Sequence, residues 1–244
     1  MIGALAFLTI FGRGRRPDAA HQPWFPLVGA AIGAVVGLVW WGASQWWPPL
    51  VAAALAVLTD LVLTGLLHID GLADSADGLL PHMDRSRRLA VMSAPDTGAF
   101  AVATVAAVLL LRWSALGSNE LNGARTVAAC AGLWALSRGL MVVAMNVLPY
   151  ARAEAGLGSA FVGSRSAARS ATLALLTVLL GGALLVLGRG ALHGAITALL
   201  ALAAGTAVLA LGRRRLGGYT GDVLGAAGVM CETVGLLVLC VSTR

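Results

Sequence analysis

The sequence predicts an all-α membrane protein: a polytopic bundle of about seven spanning helices, folded as one integral membrane domain over residues 1–244. Three observations carry this. The chain is 59% hydrophobic and 11% charged, where soluble globular chains carry about 25% charged residues, and its mean hydropathy is +0.86. Its apolar residues fall into runs close to the roughly 20 residues that cross a bilayer core. Its basic residues, all of them Arg, stand in short clusters between those runs. That is the signature of membrane topology and not of a nucleic-acid-binding stripe, so the net charge of +6 points to a lipid bilayer and away from nucleic acid.

The elements follow in order. Met1–Phe11 is apolar but too short to span, so it either lies in the interface or re-enters the bilayer. Its basic cluster, Arg13–Arg16, comes after it, the reverse of a secretion signal. The expected spans are about 27–47, 50–67, 98–116, 126–148, 171–188, 191–211 and 223–241. The first two are divided by Trp46-Trp47-Pro48-Pro49, a proline break with interfacial tryptophans. No internal repeat stands out, and the 31 Gly suit close helix packing in lipid. Cys130, Cys231 and Cys240 sit in apolar runs with no CxxC pairing, as small buried hydrophobes do.

With the N-terminus cytoplasmic, the inside segments hold Arg13, Arg15, Arg16, Arg85, Arg87, Arg88, Arg152, Arg165, Arg169, Arg213, Arg214 and Arg215. The outside segments hold only Arg125, Arg189 and Arg244. This asymmetry predicts an N-in, C-out topology in a cell inner membrane. It places 68–97, 149–170 and 212–222 on the cytoplasmic side, where nucleotides are found.

The acids are few and gathered. Of the chain's 11, six are Asp lying between Asp60 and Asp96. Asp70, Asp74 and Asp77 are spaced i, i+4, i+7, which puts them on one face of a helix. Three stacked like charges repel, and the simplest compensation is a hard divalent cation such as Mg²⁺, which takes oxygen ligands and keeps positions open for phosphate. All three are therefore candidate metal ligands and catalytic residues, one of them as general base, and His68 beside them is a further catalytic candidate. The alternative is helix caps and solvated loop charge. Arg85, Arg87 and Arg88 suit phosphate recognition, although topology alone also places Arg there. Asp96 opens the third span either as a cap or as a site residue. Gly217, Gly218 and Asp222, after Arg213–Arg215, form a Gly-rich helix start suited to an anion. With Glu232 they would make a second wall of the same cavity. Asp60, Arg112 and Arg138 fall inside spans and must face the bundle interior, as an ion pair or as part of a site. His21, His82 and His193 are isolated.

These motifs resemble a known family. His68-Ile69-Asp70-Gly71-Leu72-Ala73-Asp74-Ser75-Ala76-Asp77-Gly78-Leu79 is similar to the signature of cobalamin-5′-phosphate synthase, also called adenosylcobinamide-GDP ribazoletransferase. The resemblance continues through Asp84-Arg85-Ser86-Arg87-Arg88-Leu89 and Asp96-Thr97-Gly98-Ala99-Phe100. It returns at Phe7-Leu8-Thr9, at Arg152, at Gly156-Leu157-Gly158 with Phe161, and at Leu216–Asp222. Two departures are Ile10-Phe11, where the family has a basic residue and then Pro, and Ser93, where many members carry Lys or Arg. The resemblance implies an inner-membrane, Mg²⁺-using transferase of vitamin B12 assembly. It would join adenosylcobinamide-GDP with α-ribazole, or with its 5′-phosphate, and release GMP. A homo-oligomer is compatible with the sequence. Rival readings are another Mg²⁺-dependent membrane phosphotransferase or prenyltransferase, and a cation-coupled transporter using Asp60, Arg112 and Arg138. The first lacks the Arg that a CDP-alcohol phosphotransferase pattern needs after Ala73. The second would spread its acids along a path and not on one face.

Overall fold

The computed structural model describes residues 1–11, 18–118, 121, 123–152 and 167–241, with backbone alone at 167 and 169. Arg13, Arg15, Arg16, Arg165, Arg244, the Gly156-Leu157-Gly158 motif with Phe161, and the side chain of Arg169 lie outside the described residues. The described chain is helical: α1 (Ile2–Leu8), a 3-10 turn (Ala19–Trp24), α2 (Phe25–Ala43), α3 (Pro49–Leu63), α4 (Leu67–Leu79), α5 (Arg85–Val91), α6 (Ala99–Gly117), α7 (Gly123–Val147), α8 (Ala167–Arg189), α9 (Ala191–Leu216) and α10 (Gly221–Leu239). Among the described residues the one isolated β-bridge joins Tyr150 to Tyr219.

Six helical stretches are long and apolar enough to cross a membrane: Ala19–Ala43, Ala99–Gly117, Gly123–Val147, Ser170–Arg189, Ala191–Leu216 and Gly221–Leu239. The bent pair α3–α4 brings the number to seven when it is taken as one span. The expected second span, 50–67, is thus corrected. α3 ends at Leu63, and the chain turns through 88° into α4. At the break the Thr64 hydroxyl donates to the Asp60 carbonyl at 2.8 Å. Gly65 and Leu66 then adopt φ of +58° and +63°. For Leu66 that backbone costs about 1–2 kcal/mol, so packing must hold it. α4 therefore leaves the direction of α3 and packs against α10 and α6. α1 is too short to cross. It buries Ala4 and Leu8 and stacks Phe7 on Phe25 at 5.9 Å, while the Ile10 N–H reaches the Leu63 carbonyl at 2.9 Å.

α7 is the hub and is buried on nearly every side from Ala129 to Gly139. Small residues let its neighbours approach, as expected where lipid offers no hydrophobic drive between helices. Gly29, Gly33 and Gly37 repeat every fourth residue on α2 and face the α7 backbone; a Cβ on Gly37 would lie 2.8 Å from the Val127 Cα. Gly132 meets Gly181 of α8 in the same way, and Gly205 of α9 meets Ala227 of α10.

One buried ion network locks four helices together. Arg112 of α6 pairs with Asp60 of α3 at 2.7 Å and with Glu232 of α10. Glu232 also pairs with Arg138 of α7 and accepts from the Ser137 hydroxyl at 2.6 Å. The second Asp60 oxygen takes the Trp134 indole N–H at 2.8 Å, and Arg112 lies over that ring at 5.6 Å. Two cations meet two carboxylates here, so the interior charge is balanced, as embedded ionisable residues require.

Candidate functional site

One end of the bundle gathers α4, α5, the start of α6, residues 149–152 and the α9–α10 turn. Backbone pairing ties two of these together: the Tyr219 N–H donates to the Pro149 carbonyl at 2.8 Å, and the Ala151 N–H to the Tyr219 carbonyl at 2.8 Å. The opposite end is built from Leu50, Ala115 and Val241, held by Trp113, Cys240 and Arg189.

At the first end a cavity of about 270 Å³ lies between α4 and the 93–97 segment. Asp70, Asp74 and Asp77 line one side; Ser93, Asp96 and Thr97 line the other. The i, i+4, i+7 spacing thus delivers three carboxylates to one space. They are not equivalent. Among the described residues Asp70 and Asp74 have no hydrogen-bond or ion-pair partner, with Asp70 exposed and Asp74 half-buried. Asp77 is engaged: its carboxylate accepts from the Gly98 N–H at 2.6 Å and the Ala101 N–H at 2.9 Å. Gly98 is the N-cap of α6 and has no side chain to satisfy that helix start, so Asp77 does so from α4. Asp96, expected as either a cap or a site residue, does not cap α6 and faces the cavity.

The α9–α10 turn closes on the same helix. A Cβ on Gly71 would lie 2.8 Å from the Asp222 carbonyl oxygen, and one on Gly225 would lie 3.3 Å from the His68 Cα. Asp222 pairs with Arg152 at 2.7 Å, and Arg152 also donates to the Met92 carbonyl at 3.1 Å. The pKa of Asp74 is pushed up to about 7. Burial is the largest cause, followed by the negative charges of Asp222 and Asp70; Arg152 pulls the other way and Asp77 adds a smaller push.

The arginines divide into two groups. Arg85 donates to the Leu216 and Ala151 carbonyls, each at 2.7 Å. Arg88 donates to the Gly78 carbonyl at 2.7 Å, at the end of α4, and Arg215 holds the Leu79 carbonyl. These three guanidiniums fasten helix C-termini, where exposed carbonyls want cations. Arg87, Arg213 and Arg214 are exposed, and among the described residues their guanidiniums are unpaired. Gly217 is the left-handed C-cap of α9 with φ of +78°, and its N–H goes to the Arg213 carbonyl at 3.0 Å. Gly218 lies against the Pro149 carbonyl. The turn is therefore a structural joint that delivers Asp222, with the Gly217 and Tyr219 N–H groups committed to the Arg213 and Pro149 carbonyls.

His68 is buried on the α10 side of α4, away from the residues that line the cavity, and its Nδ1 has no hydrogen-bond partner. Glu232, grouped with Asp222 by sequence, is ten residues deeper in α10 and belongs to the buried network. The 93–97 wall and the capping role of Asp77 were not evident from sequence. The one available signal was Gly at the α6 cap, a helix start without an acceptor of its own.

For a hard cation the donor set fits: two carboxylates, free among the described residues, share a cavity, and burial together with neighbouring negative charge pushes one of them toward protonation. Among the described residues no three of His, Cys, Asp and Glu stand close enough to cage a metal ion. That suits Mg²⁺, which is bound through one or two carboxylates together with substrate phosphate oxygens and water.

Known proteins agree with these features. A family profile described as Cobalamin-5-phosphate synthase matches residues 1–240. The chain is 37% identical over 215 residues to an adenosylcobinamide-GDP ribazoletransferase of Citrobacter koseri, covering 88% of this chain and 85% of that one. It is 36% identical over 239 residues to the protein of the same name from Desulforamulus reducens, covering 94% and 91%. To that from Chlorobium phaeovibrioides it is 33% identical over 183 residues, covering 74% and 73%. No solved structure matches. With the match running nearly end to end, the chain belongs to the cobalamin-5-phosphate synthase family.

Proposed function

We propose that the Asp70–Asp74 cavity is where this transferase of cobalamin synthesis joins adenosylcobinamide-GDP to α-ribazole, or to its 5′-phosphate, with release of GMP. The activity rests on the family and on the relatives' names. The observation that carries its placement is the pair of carboxylates, unpartnered among the described residues, that share one cavity, with Asp222 packed against the same helix at Gly71.

A ribose hydroxyl of the acceptor attacks the phosphorus that bears cobinamide. The bond to the bridging oxygen breaks, and GMP leaves with that oxygen. The hydroxyl proton must go to a base, and the carboxylates that line the cavity are the bases placed to take it. Asp70 and Asp74 would hold Mg²⁺, which supplies charge neutralisation for a pyrophosphate. Arg87, Arg213 and Arg214 draw the anion to the mouth. Arg152 shields Asp222 and fixes the Met92 end of the opposite wall. The corrinoid and nucleotide are too polar for the hydrocarbon core, so the cavity stays at the bundle end.

The same reading puts that end in the cytoplasm of a cell whose inner membrane carries the chain, supported by the concentration of Arg85, Arg87, Arg88, Arg152 and Arg213–Arg215 there. Thiol labelling of Ser86→Cys from the cytoplasmic face is the expected result; labelling only from the other face refutes the orientation. The activity is tested by GMP release from the purified chain in detergent. No release with both substrates and Mg²⁺ present would refute it.

A further inference from the structure

Asp77 shares the helix face of Asp70 and Asp74, yet its oxygens are spent elsewhere. Both accept backbone N–H groups of α6, at Gly98 and Ala101. These are the N-cap and third-position donors that a capping side chain and its partner normally satisfy within one helix. Gly98 supplies no such side chain, and the carboxylate sits directly against it: a Cβ at Gly98 would lie 2.6 Å from Asp77 Oδ1. Residues 93–97 form the opposite wall of the cavity and connect two anchored ends. Arg152 holds Met92 at one end, and Asp77 holds Gly98 at the other.

We propose that Asp77 is a positioning residue. It clamps the start of α6 to α4, and thereby sets the gap between the Asp70–Asp74 side and the Ser93–Thr97 wall that receives the substrate. It is not a metal ligand. Its negative charge at a helix N-terminus is favourable where it is, and moving it onto a cation would orphan two N–H groups. Asp70 and Asp74 have no such obligation. This inference rests on the reading of those two as the cation ligands.

The experiment compares Asp70→Asn, Asp74→Asn, Asp77→Ala, Asp77→Asn and Gly98→Ala in the full chain in detergent. Mn²⁺ binding is followed by electron paramagnetic resonance, and KM and kcat by GMP release. Asp77→Ala and Gly98→Ala should raise the KM for the nucleotide substrate about tenfold, the scale on which small displacements act. Their Mn²⁺ affinity should stay within about threefold of the unaltered chain, whereas Asp70→Asn and Asp74→Asn lower it at least about tenfold, as loss of a ligand does. Asp77→Asn keeps one acceptor oxygen and should recover much of the loss seen in Asp77→Ala. Gly98→Ala leaves every carboxylate in place, so it still tests the clamp if Asp77→Ala does not fold. Mn²⁺ affinity lost in Asp77→Asn as far as in Asp74→Asn overturns the proposal, and so does an unchanged KM in Gly98→Ala. Mn²⁺ affinity unchanged in Asp70→Asn and Asp74→Asn overturns the cation reading instead, and the KM arm still judges the clamp.

Discussion

Gly71 of α4 lies against the backbone of Asp222 at the start of α10, close enough that an added Cβ would fall 2.8 Å from the Asp222 carbonyl oxygen. Two motifs more than 140 residues apart thus form one joint, and the joint sets how near Asp222 comes to Asp70 and Asp74. Gly71→Val should therefore part α4 from α10. The expected loss is about 1–3 kcal/mol of stability, the usual cost of overpacking, with GMP release falling further than stability does. Thermal unfolding and turnover measured together check this. Gly42→Val, where an added Cβ meets nothing, should change neither.

Asp74 makes the metal-free protein sensitive to pH. Its folded pKa is raised to about 7 from an ordinary value of 3.8. A raised carboxyl contributes stability that is fully present below about 4 and is lost as pH rises through about 7. Thermal midpoints of the EDTA-treated chain should accordingly fall across that window, and Asp74→Asn should flatten the curve. Added Mg²⁺ should restore stability most at the high end, because the cation replaces the lost proton. A pH slope identical in Asp74→Asn would show that another group is responsible.

The buried network makes a different demand. Glu232→Gln leaves Arg112 and Arg138 with one carboxylate, Asp60, between them. Removing one partner of a buried pair costs about 3–5 kcal/mol. The variant should lose most of its thermal midpoint and insert poorly, with its cation affinity unaltered in whatever folds. A midpoint like that of the unaltered chain would mean the network contributes little.

Arg85 and Arg87 stand two residues apart and should behave oppositely. Arg85→Ala orphans the Leu216 and Ala151 carbonyls, so it should cost about 1–3 kcal/mol of stability with little change in salt response. Arg87→Ala should leave the midpoint intact, raise KM, and weaken the dependence of KM on ionic strength. Kinetics at two salt concentrations, alongside melting curves, separate the two roles.

Much of this was legible in the sequence, and what was not has physical causes. The apolar runs gave the bundle, because spanning length is set by the bilayer. The break at Thr64–Leu66 was hidden because the run stays apolar through it, and a positive φ at Leu66 is imposed by tertiary packing. The spacing of Asp70, Asp74 and Asp77 showed a shared face, but not that Asp77 was committed to a helix start 21 residues away. Arg88 and Arg215 look like anion ligands in sequence; whether a guanidinium faces a phosphate or a carbonyl depends on which helix ends near it. Glu232 was grouped with Asp222 by proximity along the chain, although ten residues of helix carry it about 15 Å further in.

The central claim is that Asp70 and Asp74 form the chemical centre of a ribazole-transferring enzyme. The most direct measurement is GMP release from adenosylcobinamide-GDP and α-ribazole by the purified chain, with and without EDTA, beside Asp70→Asn and Asp74→Asn. The account predicts release that stops with EDTA, returns with Mg²⁺, and falls by about 100-fold or more in either variant while each still folds and inserts. Release that survives EDTA, or near-normal turnover in both variants, would contradict it.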